Sequence, residues 1–226
     1  MGQVNLVSPH WEALTPETRQ AFGEIASLSF VSQFYLAGGT GLALHLGHRF
    51  SMDLAFFSPD TGAVGPEVRA MLLETLDDPS LSITHDRDGT FVATWCGVGV
   101  SFFRLPLYPL VQQPALVEGV PVGTVEEIGA MKLAAIIGRG TRKDLVDLYY
   151  ILQQVPIVRL FEVAAVKYAR VRTFAISATR ALAYFDDAEA LPMPLMIDHT
   201  PWTTMRRFLE RQAMAVGREH LEDLWP

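Results

Sequence analysis

The residues best suited to chemistry in this sequence lie within GGTGLALHLGHRFSMDLAFF, residues 38–57. Gly38, Gly39 and Thr40 follow a short apolar segment and precede a short predicted helix. Glycines at a strand-to-helix turn let a phosphate approach the free amides of the helix N-terminus, where the helix dipole favours negative charge. The tripeptide therefore suggests a phosphate-binding turn, although such glycines also occur in ordinary turns.

A carboxylate follows this turn on a predicted strand. Residues 51–58 alternate apolar and other side chains, which is typical of a strand and places Asp53 and Ala55 on one face. Carboxylates at both positions could hold Mg²⁺ beside a nucleoside triphosphate, because hard cations prefer oxygen ligands. Arg49 either pairs with phosphate oxygens or is a surface arginine at the start of the strand, and His48 is interpreted as structural.

The second half of the chain carries a further polar group. Lys132 lies in the apolar segment IGAMKLAAII, where its ammonium must either reach the surface or serve a function. On the next predicted helix, Asp144 lies at the edge of the apolar stripe and Asp147 points nearly opposite. This placement favours Asp144 as the site residue, although it also fits a helix cap with Thr141. It makes Asp147 a structural partner for a neighbouring arginine.

Together, these segments resemble the AbiEii/AbiGii-type toxin nucleotidyltransferases, a branch of the polymerase-β-like superfamily. FYLAGGTGLALHLGHRFSMDLAFFS is similar to the family signature GG(T/S)…HR-x-S-x-D-x-D. GAMKLAAIIGRGTRKDLVDLYYIL is similar to the family's downstream lysine followed by its R-x-x-D-x-x-D-L-Y helix. The two motifs occur in the right order, and the resemblance extends through LAYFDDAEALPMP to the predicted C-terminal helix.

The resemblance implies an α+β fold with two domains. A polymerase-β-like nucleotidyltransferase core with a mixed β-sheet would occupy residues 1–123, and a mostly helical region would occupy residues 124–226. It also implies a toxin that transfers a nucleoside monophosphate from an NTP to an RNA acceptor, above all tRNA, with Mg²⁺ as cofactor and a cognate antitoxin as partner. The site residues that it implies are Gly38, Gly39, Thr40 and Arg49 for the nucleotide, Asp53 for the metal, and Ser51, Asp53, Lys132 and Asp144 for catalysis.

The chain departs from the family pattern at the metal site. Ala55 replaces the second aspartate of D-x-D, and the strand GVSFFRL, which would carry a third carboxylate, offers Ser101. A single carboxylate binds Mg²⁺ weakly unless the nucleotide phosphates help to recruit the metal. Ala55 is explained by natural loss of activity, by a rearranged active site, or by engineered inactivation. The alternative function is a non-catalytic module that binds a nucleotide or a partner.

Composition restricts the classes of partner and compartment. The net charge of −7 argues against coating of nucleic acid by bulk electrostatics. Residues 1–129 carry 5 basic and 14 acidic side chains, whereas residues 130–226 carry 13 and 11, so an RNA should dock on the second half. The basic residues expected to face it are Arg139, Arg142, Lys143, Arg206, Arg207 and Arg211. The single cysteine, Cys96, excludes an internal disulfide, and with no transmembrane or secretory segment expected, a cytoplasmic location follows.

The remaining pattern predicts the elements that must position these residues. A helix start at Thr15-Pro16-Glu17 and a capping box at Thr124 and Glu127 are the clearest boundaries. Further strands are predicted at QFYLAGG and in a hairpin of TFVATW and GVSFFRL. The predicted helices span about 15–27, 40–46, 66–77, 124–138, 141–156, 157–170, 175–187 and 202–216.

Overall fold

The computed structural model describes the backbone of residues 5–224 and the side chains of residues 5–218. Its contacts divide the chain into two units, residues 1–124 and residues 125–226. The first combines a mixed sheet with helices and the second is helical, so the predicted α+β fold class is confirmed. Within the described part of the chain, no helix is both long and apolar enough to cross a bilayer.

The first unit is built on a seven-stranded sheet. In chain order its strands are β1 (Tyr35–Ala37), β2 (Asp53–Ser58), β3 (Ser82–Arg87), β4 (Thr90–Trp95), β5 (Val98–Arg104), β6 (Ala115–Val117) and β7 (Val120–Val122). Their order in the sheet is β3-β4-β5-β2-β1-β7-β6. The central strand β2 runs parallel to β5 and antiparallel to β1, so the segment with Asp53 lies between two neighbours.

Three helices complete the first unit: α1 (Pro16–Ala26), α2 (Gly38–Leu46) and α3 (Pro66–Thr75). The predicted start of α1 is confirmed, because the Thr15 hydroxyl accepts a hydrogen bond from the Thr18 amide at 3.2 Å. Behind the sheet, aromatic rings form much of the core. Phe102 stacks on Phe56 at 4.8 Å between ring centroids and meets Phe34 edge-on at 5.1 Å.

The sequence pattern does not predict three of the strands. β3 is almost entirely exposed, so it lacks the apolar alternation that marks a half-buried strand. β6 and β7 have three residues each and are joined through Glu118 and Gly119, both with positive φ. Pairing along the sheet, rather than local sequence, stabilises such short strands.

The second unit contains α4 (Val125–Gly138), α5 (Arg142–Ile151), α6 (Ile157–Lys167), α7 (Phe174–Leu182), α8 (Asp186–Glu189) and α9 (Trp202–Leu224). α4 packs against α5, α6 and α7, which fits a helix that is apolar on all sides. The predicted helix over residues 175–187 is wrong in its extent, because α7 ends at Leu182 and α8 begins at Asp186. The last helix is longer than predicted and continues to Leu224.

Candidate active site

The glycine turn forms the first turn of α2, two residues earlier than the predicted helix start. Gly38 has φ +66°, a left-handed conformation that strains any residue with a Cβ. A Cβ on Gly39 would lie 2.5 Å from a guanidinium nitrogen of Arg49 and 3.1 Å from Ser51 Oγ. The two glycines therefore allow the strand-to-helix turn and the close approach of Arg49 and Ser51.

Thr40 connects this turn to the strand that carries the carboxylate. Its side chain is buried, and its hydroxyl donates to the backbone carbonyl of Asp53. Thr40 Oγ1 also lies 2.8 Å from Ser51 Oγ. Because the single Thr40 proton is used toward Asp53, Ser51 is the donor in this second bond. The Thr40 hydroxyl is therefore committed inside the protein, which leaves its backbone amide for an anionic ligand.

Arg49 and His48 are both buried at the start of this segment. Arg49 is 5 % exposed, and its Nη1 donates to the Phe50 carbonyl at 3.0 Å. The alternative of a surface arginine is therefore wrong, because the guanidinium lies against Gly39. His48 is 2 % exposed, in keeping with its structural interpretation.

Asp53 is exposed at the start of β2 and is paired with Gly99 on β5. A Cβ added to Gly99 would lie 2.5 Å from Asp53 Oδ1, so the carboxylate extends over the neighbouring strand. Ala55 pairs with Ser101 on β5 and with Ala37 on β1. Ser101, which the sequence offers in place of a third carboxylate, therefore lies beside Ala55.

These residues do not fit a metal ion that the protein holds by itself. Among the described residues, no three His, Cys, Asp or Glu side chains cluster closely enough to hold a metal. Asp53 is the carboxylate at this turn, with Ser51 as a hydroxyl neighbour. One carboxylate fits an Mg²⁺ that arrives coordinated to a nucleotide, because Mg²⁺ is often bound through one or two carboxylates plus substrate phosphates.

The second unit holds a buried cluster that we call the lysine–aspartate cluster: Lys132, Asp144 and Asp147. Lys132 Nζ lies 2.8 Å from Asp144 Oδ1 and 2.5 Å from Asp147 Oδ2. Both carboxylate side chains are fully buried, and Lys132 is 6 % exposed, so its ammonium does not extend to the surface. The prediction that Asp147 points nearly opposite to the site was wrong, because both aspartates of α5 contact the same lysine of α4.

Asp144 is further held by the loop before α5. The Thr141 hydroxyl donates to Asp144 Oδ2, and the Nε atom of the exposed Arg139 lies 3.4 Å from the same oxygen. Burial by itself raises the pKa of Asp144, but Lys132, Thr141 and Arg139 outweigh it and hold the pKa below its usual value. Asp144 is therefore ionised at neutral pH. Thr141 contacts this carboxylate and makes no side-chain hydrogen bond to the helix backbone as a cap.

A second buried ion pair was missed from the sequence. Lys167 Nζ lies 2.6 Å from Glu127 Oε1, and both side chains are fully buried. Glu127, the predicted acid of the capping box with Thr124, thus also contacts α6 through its carboxylate. The signal was the apolar stripe of α6, in which Lys167 follows Leu160 and Ala164 at helical spacing.

Besides Arg139, which contacts Asp144, two of the six basic residues predicted to face an RNA are partly exposed and bonded within the second unit. Arg142 donates to the carbonyl oxygens of Ala188 and Glu189 at 2.8 and 2.9 Å. Arg206 forms ion pairs with Glu189 and Glu210. The other four are exposed: Arg139, Lys143, Arg207 and Arg211.

Comparison with known proteins finds one relative by sequence and several solved structures with a similar fold. A protein of Aquifex aeolicus (strain VF5), named uncharacterized protein aq_aa25, is 30 % identical over 216 residues, which are 93 % of this chain and 98 % of that protein. A putative nucleotidyltransferase from H. pylori has a similar structure, with a TM-score of 0.55 and 16 % identity over 94 % of this chain and 99 % of that one. MenT4, the nucleotidyltransferase toxin Rv2826c of Mycobacterium tuberculosis H37Rv, gives a TM-score of 0.54 and 18 % identity over 82 % and 76 % of the two chains.

The two solved structures share the fold with this chain at low identity, so they support the architecture and not a particular substrate. The sequence itself is more specific. Residues 22–224 match the family model described as "Nucleotidyl transferase AbiEii toxin, Type IV TA system". That range includes the glycine turn, Asp53 and the lysine–aspartate cluster, so the chain belongs to the AbiEii nucleotidyl transferase toxin family.

Proposed function

We propose that this protein transfers a nucleoside monophosphate from an NTP to an RNA, with tRNA as the first candidate acceptor. The observation that carries the proposal is the connected turn, in which Thr40 bonds both Ser51 and the Asp53 backbone while Arg49 lies against Gly39. These contacts keep the family motif in place although Ala55 removes one carboxylate. Since NTPs and tRNA are cytoplasmic, the proposed location is the cytoplasm, with an antitoxin protein as the restraining partner.

In the proposed reaction, a hydroxyl oxygen of the RNA attacks the α-phosphorus of the NTP. The new O–P bond replaces the bond from the α-phosphorus to the bridging oxygen, pyrophosphate leaves, and the hydroxyl proton passes to solvent. The amides of the α2 N-terminus, with Gly38 and Gly39, would bind triphosphate oxygens, and Arg49 would neutralise their charge. Mg²⁺, held by Asp53 and the phosphates, would supply further neutralisation of the developing charge.

The lysine–aspartate cluster has a supporting part in this proposal. A general base works best with a pKa near the working pH, and the lowered pKa of the buried Asp144 makes it a weak proton acceptor. The family resemblance implies that Asp144 is either a general base or a member of the polar site, and its lowered pKa favours the second role. Asp144 and Asp147 hold the Lys132 ammonium in the interior of the second unit, so the part proposed for the cluster is to fix α4 against α5.

The experiment is transfer of label from each α-³²P NTP in turn to total tRNA in the presence of Mg²⁺. The unmodified chain is compared with Asp53→Asn, which keeps the shape of the side chain and removes its charge. We expect labelled RNA with the unmodified chain and loss of the label with Asp53→Asn. Absence of labelled RNA with both the unmodified chain and Ala55→Asp would contradict the proposal.

The pairing of Ala55 with Ser101 favours a second candidate, a module that binds a nucleotide or partner without catalysis. That candidate requires NTP binding by equilibrium dialysis and no transfer of label by the unmodified chain. Label that appears with Ala55→Asp alone would support this second candidate for the chain as it stands. It would also show that the scaffold lacks a single ligand.

A further inference from the structure

The second unit contains an open pocket of about 500 Å³ that the sequence does not predict. It lies where α4 ends at Gly138 and where α7 ends and α8 begins. Ile136, Ile137 and Ala181 contribute an apolar wall, and the polar groups come from Arg139, Arg180 and Tyr184, with Ser177 and Asp187. Apolar surface with a few converging polar groups is typical of a small-molecule site.

Two guanidinium groups border this pocket. The Arg139 side chain is 63 % exposed, and its Nε lies 3.4 Å from Asp144 Oδ2. Arg180 is exposed and forms no ion pair with a side chain among residues 5–218. Guanidinium groups bind phosphate oxygens in bidentate geometry, so two of them at one pocket point to a phosphate-containing ligand.

Tyr184 adds an aromatic surface to the same pocket. Its side chain is half exposed, and its hydroxyl lies 3.5 Å from Asp187 Oδ1. The negative charge of Asp187 raises the pKa of Tyr184, so its hydroxyl stays protonated at neutral pH. An exposed ring beside basic side chains is the arrangement with which proteins stack the bases of single-stranded nucleic acids.

The charge of the pocket limits which nucleotide it suits. Asp187 carries a full negative charge, and the C-termini of α4 and α7 each contribute roughly half a negative charge from their free carbonyl groups. Together these nearly balance the two arginines. With no net positive charge left over, the pocket disfavours the several charges of a triphosphate, and the two guanidinium groups would hold a single phosphodiester through their hydrogen bonds.

We infer that this pocket binds one nucleotide of a single-stranded RNA acceptor, with the base on Tyr184 and a phosphodiester on Arg139 and Arg180. The identity of the acceptor rests on the function proposed above, whereas the nucleotide chemistry rests on the pocket itself. Because Arg139 also contacts Asp144, the bound nucleotide would lie next to the lysine–aspartate cluster.

The test measures binding of a short fluorescein-labelled single-stranded RNA by anisotropy, without NTP, so that it does not depend on catalysis. Arg180→Ala should weaken binding at least about 10-fold, because a charge-assisted hydrogen bond is lost. It should also reduce the slope of log affinity against log salt by about 0.7, the value for one phosphate contact on a single strand. Arg172→Ala, an exposed arginine of the same unit outside the pocket, should change neither quantity.

Tyr184 is tested by a matched pair of variants. Tyr184→Leu should weaken RNA binding roughly 5- to 100-fold through loss of base stacking, and Tyr184→Phe should retain most of the affinity. Both changes are at a half-exposed position, and circular dichroism checks that the helices remain. NTP binding, measured by equilibrium dialysis, should be the same in all variants.

Three results would overturn the inference. They are equal RNA affinity for Arg180→Ala, Tyr184→Leu and the unmodified chain, loss of NTP affinity instead of RNA affinity, and no RNA binding by the unmodified chain. A failure of the proposed function would give a different result from a failure of this inference. RNA binding that depends on Arg180 and Tyr184, without label transfer, would refute catalysis on RNA and leave this pocket assignment standing.

Discussion

Replacement of Lys132 by Met would test whether the lysine–aspartate cluster stabilises the second unit. Met retains most of the length and apolar contact of the lysine stem but has no charge. In Lys132→Met, Asp144 and Asp147 remain fully buried without the ammonium that lies 2.8 and 2.5 Å from them. Lysine is almost never buried to this degree unless it is paired, so the effect should be large.

The size of the effect follows from the burial of the partners. Breaking a buried ion pair by removal of one member costs about 3–5 kcal/mol, because an uncompensated charge remains in the interior. Here two carboxylates lose the same partner, so the upper part of that range is expected at neutral pH. A domain is stable by only about 5–15 kcal/mol, so this loss is a large fraction of the total.

The effect should depend on pH with a defined sign. In the unmodified chain the pKa of Asp144 lies below its ordinary value of 3.8, so its contribution is present above that value and is lost as pH falls through the lower folded pKa. In Lys132→Met the lysine no longer opposes the effect of burial, so the pKa of Asp144 rises. The variant should therefore bind a proton on folding, and its deficit in stability should shrink as pH is lowered toward about 4.

The assay is urea unfolding followed by circular dichroism at pH 7 and near pH 4. Lys143→Met is the matched control, because Lys143 is an exposed lysine on α5 and its loss should change the free energy of unfolding by no more than about 0.5 kcal/mol. Addition of Asp147→Asn to Lys132→Met should recover part of the loss. A deficit below about 1 kcal/mol at pH 7, or one that grows toward pH 4, would refute this reasoning.

Two further changes test the strand beside the glycine turn and the turn itself, and a third change, inside α1, provides a contrast. Ala55→Asp should raise the affinity for Mg²⁺, measured by calorimetry without nucleotide, about 30-fold. A carboxylate roughly 4 Å from a divalent ion gains about 2 kcal/mol in water. Ala55→Asn is the control, and an equal gain in affinity with this variant would contradict the electrostatic reason. Gly39→Ala places a Cβ 2.5 Å from the Arg49 guanidinium, so it should destabilise the protein by about 1–3 kcal/mol in urea unfolding. Gly23→Ala should instead stabilise the protein by about 0.5–1 kcal/mol, because Gly23 lies inside α1 and the new Cβ has no atom within 4 Å. A change in stability of the same sign in both glycine variants would contradict this account.

Much of the fold around the glycine turn could be predicted from the sequence. The alternation of Leu54 and Phe56 with Asp53 and Ala55 is the burial pattern of β2. The N-cap at Thr15 and the hairpin of β4 and β5 were predicted for the same reason, because each depends on residues close together in the chain. β3, β6 and β7 could not be predicted, because they are exposed or very short and depend on partners elsewhere in the sheet.

The sequence alone also identified the family and the residue types of the candidate site, because the two motifs contain these residues in the expected order. Only the tertiary structure decided how the individual side chains are used. The sequence allowed Arg49 to be a surface residue and Thr40 to face a ligand, whereas the structure buries both and commits the Thr40 hydroxyl to Ser51 and Asp53. Those contacts join separate segments of the chain, so local periodicity carries no information about them.

For the lysine–aspartate cluster, too, the sequence determined some features and the tertiary structure determined the others. The sequence determined that Lys132 lies in an apolar helix and that Asp144 borders an apolar stripe. It did not determine that Asp147 faces the same lysine, because the periodicity of α5 marks its most apolar face and not every face that a neighbouring helix covers. Packing of α4 against α5 brings the three side chains together, and a buried charge needs such partners because water no longer solvates it.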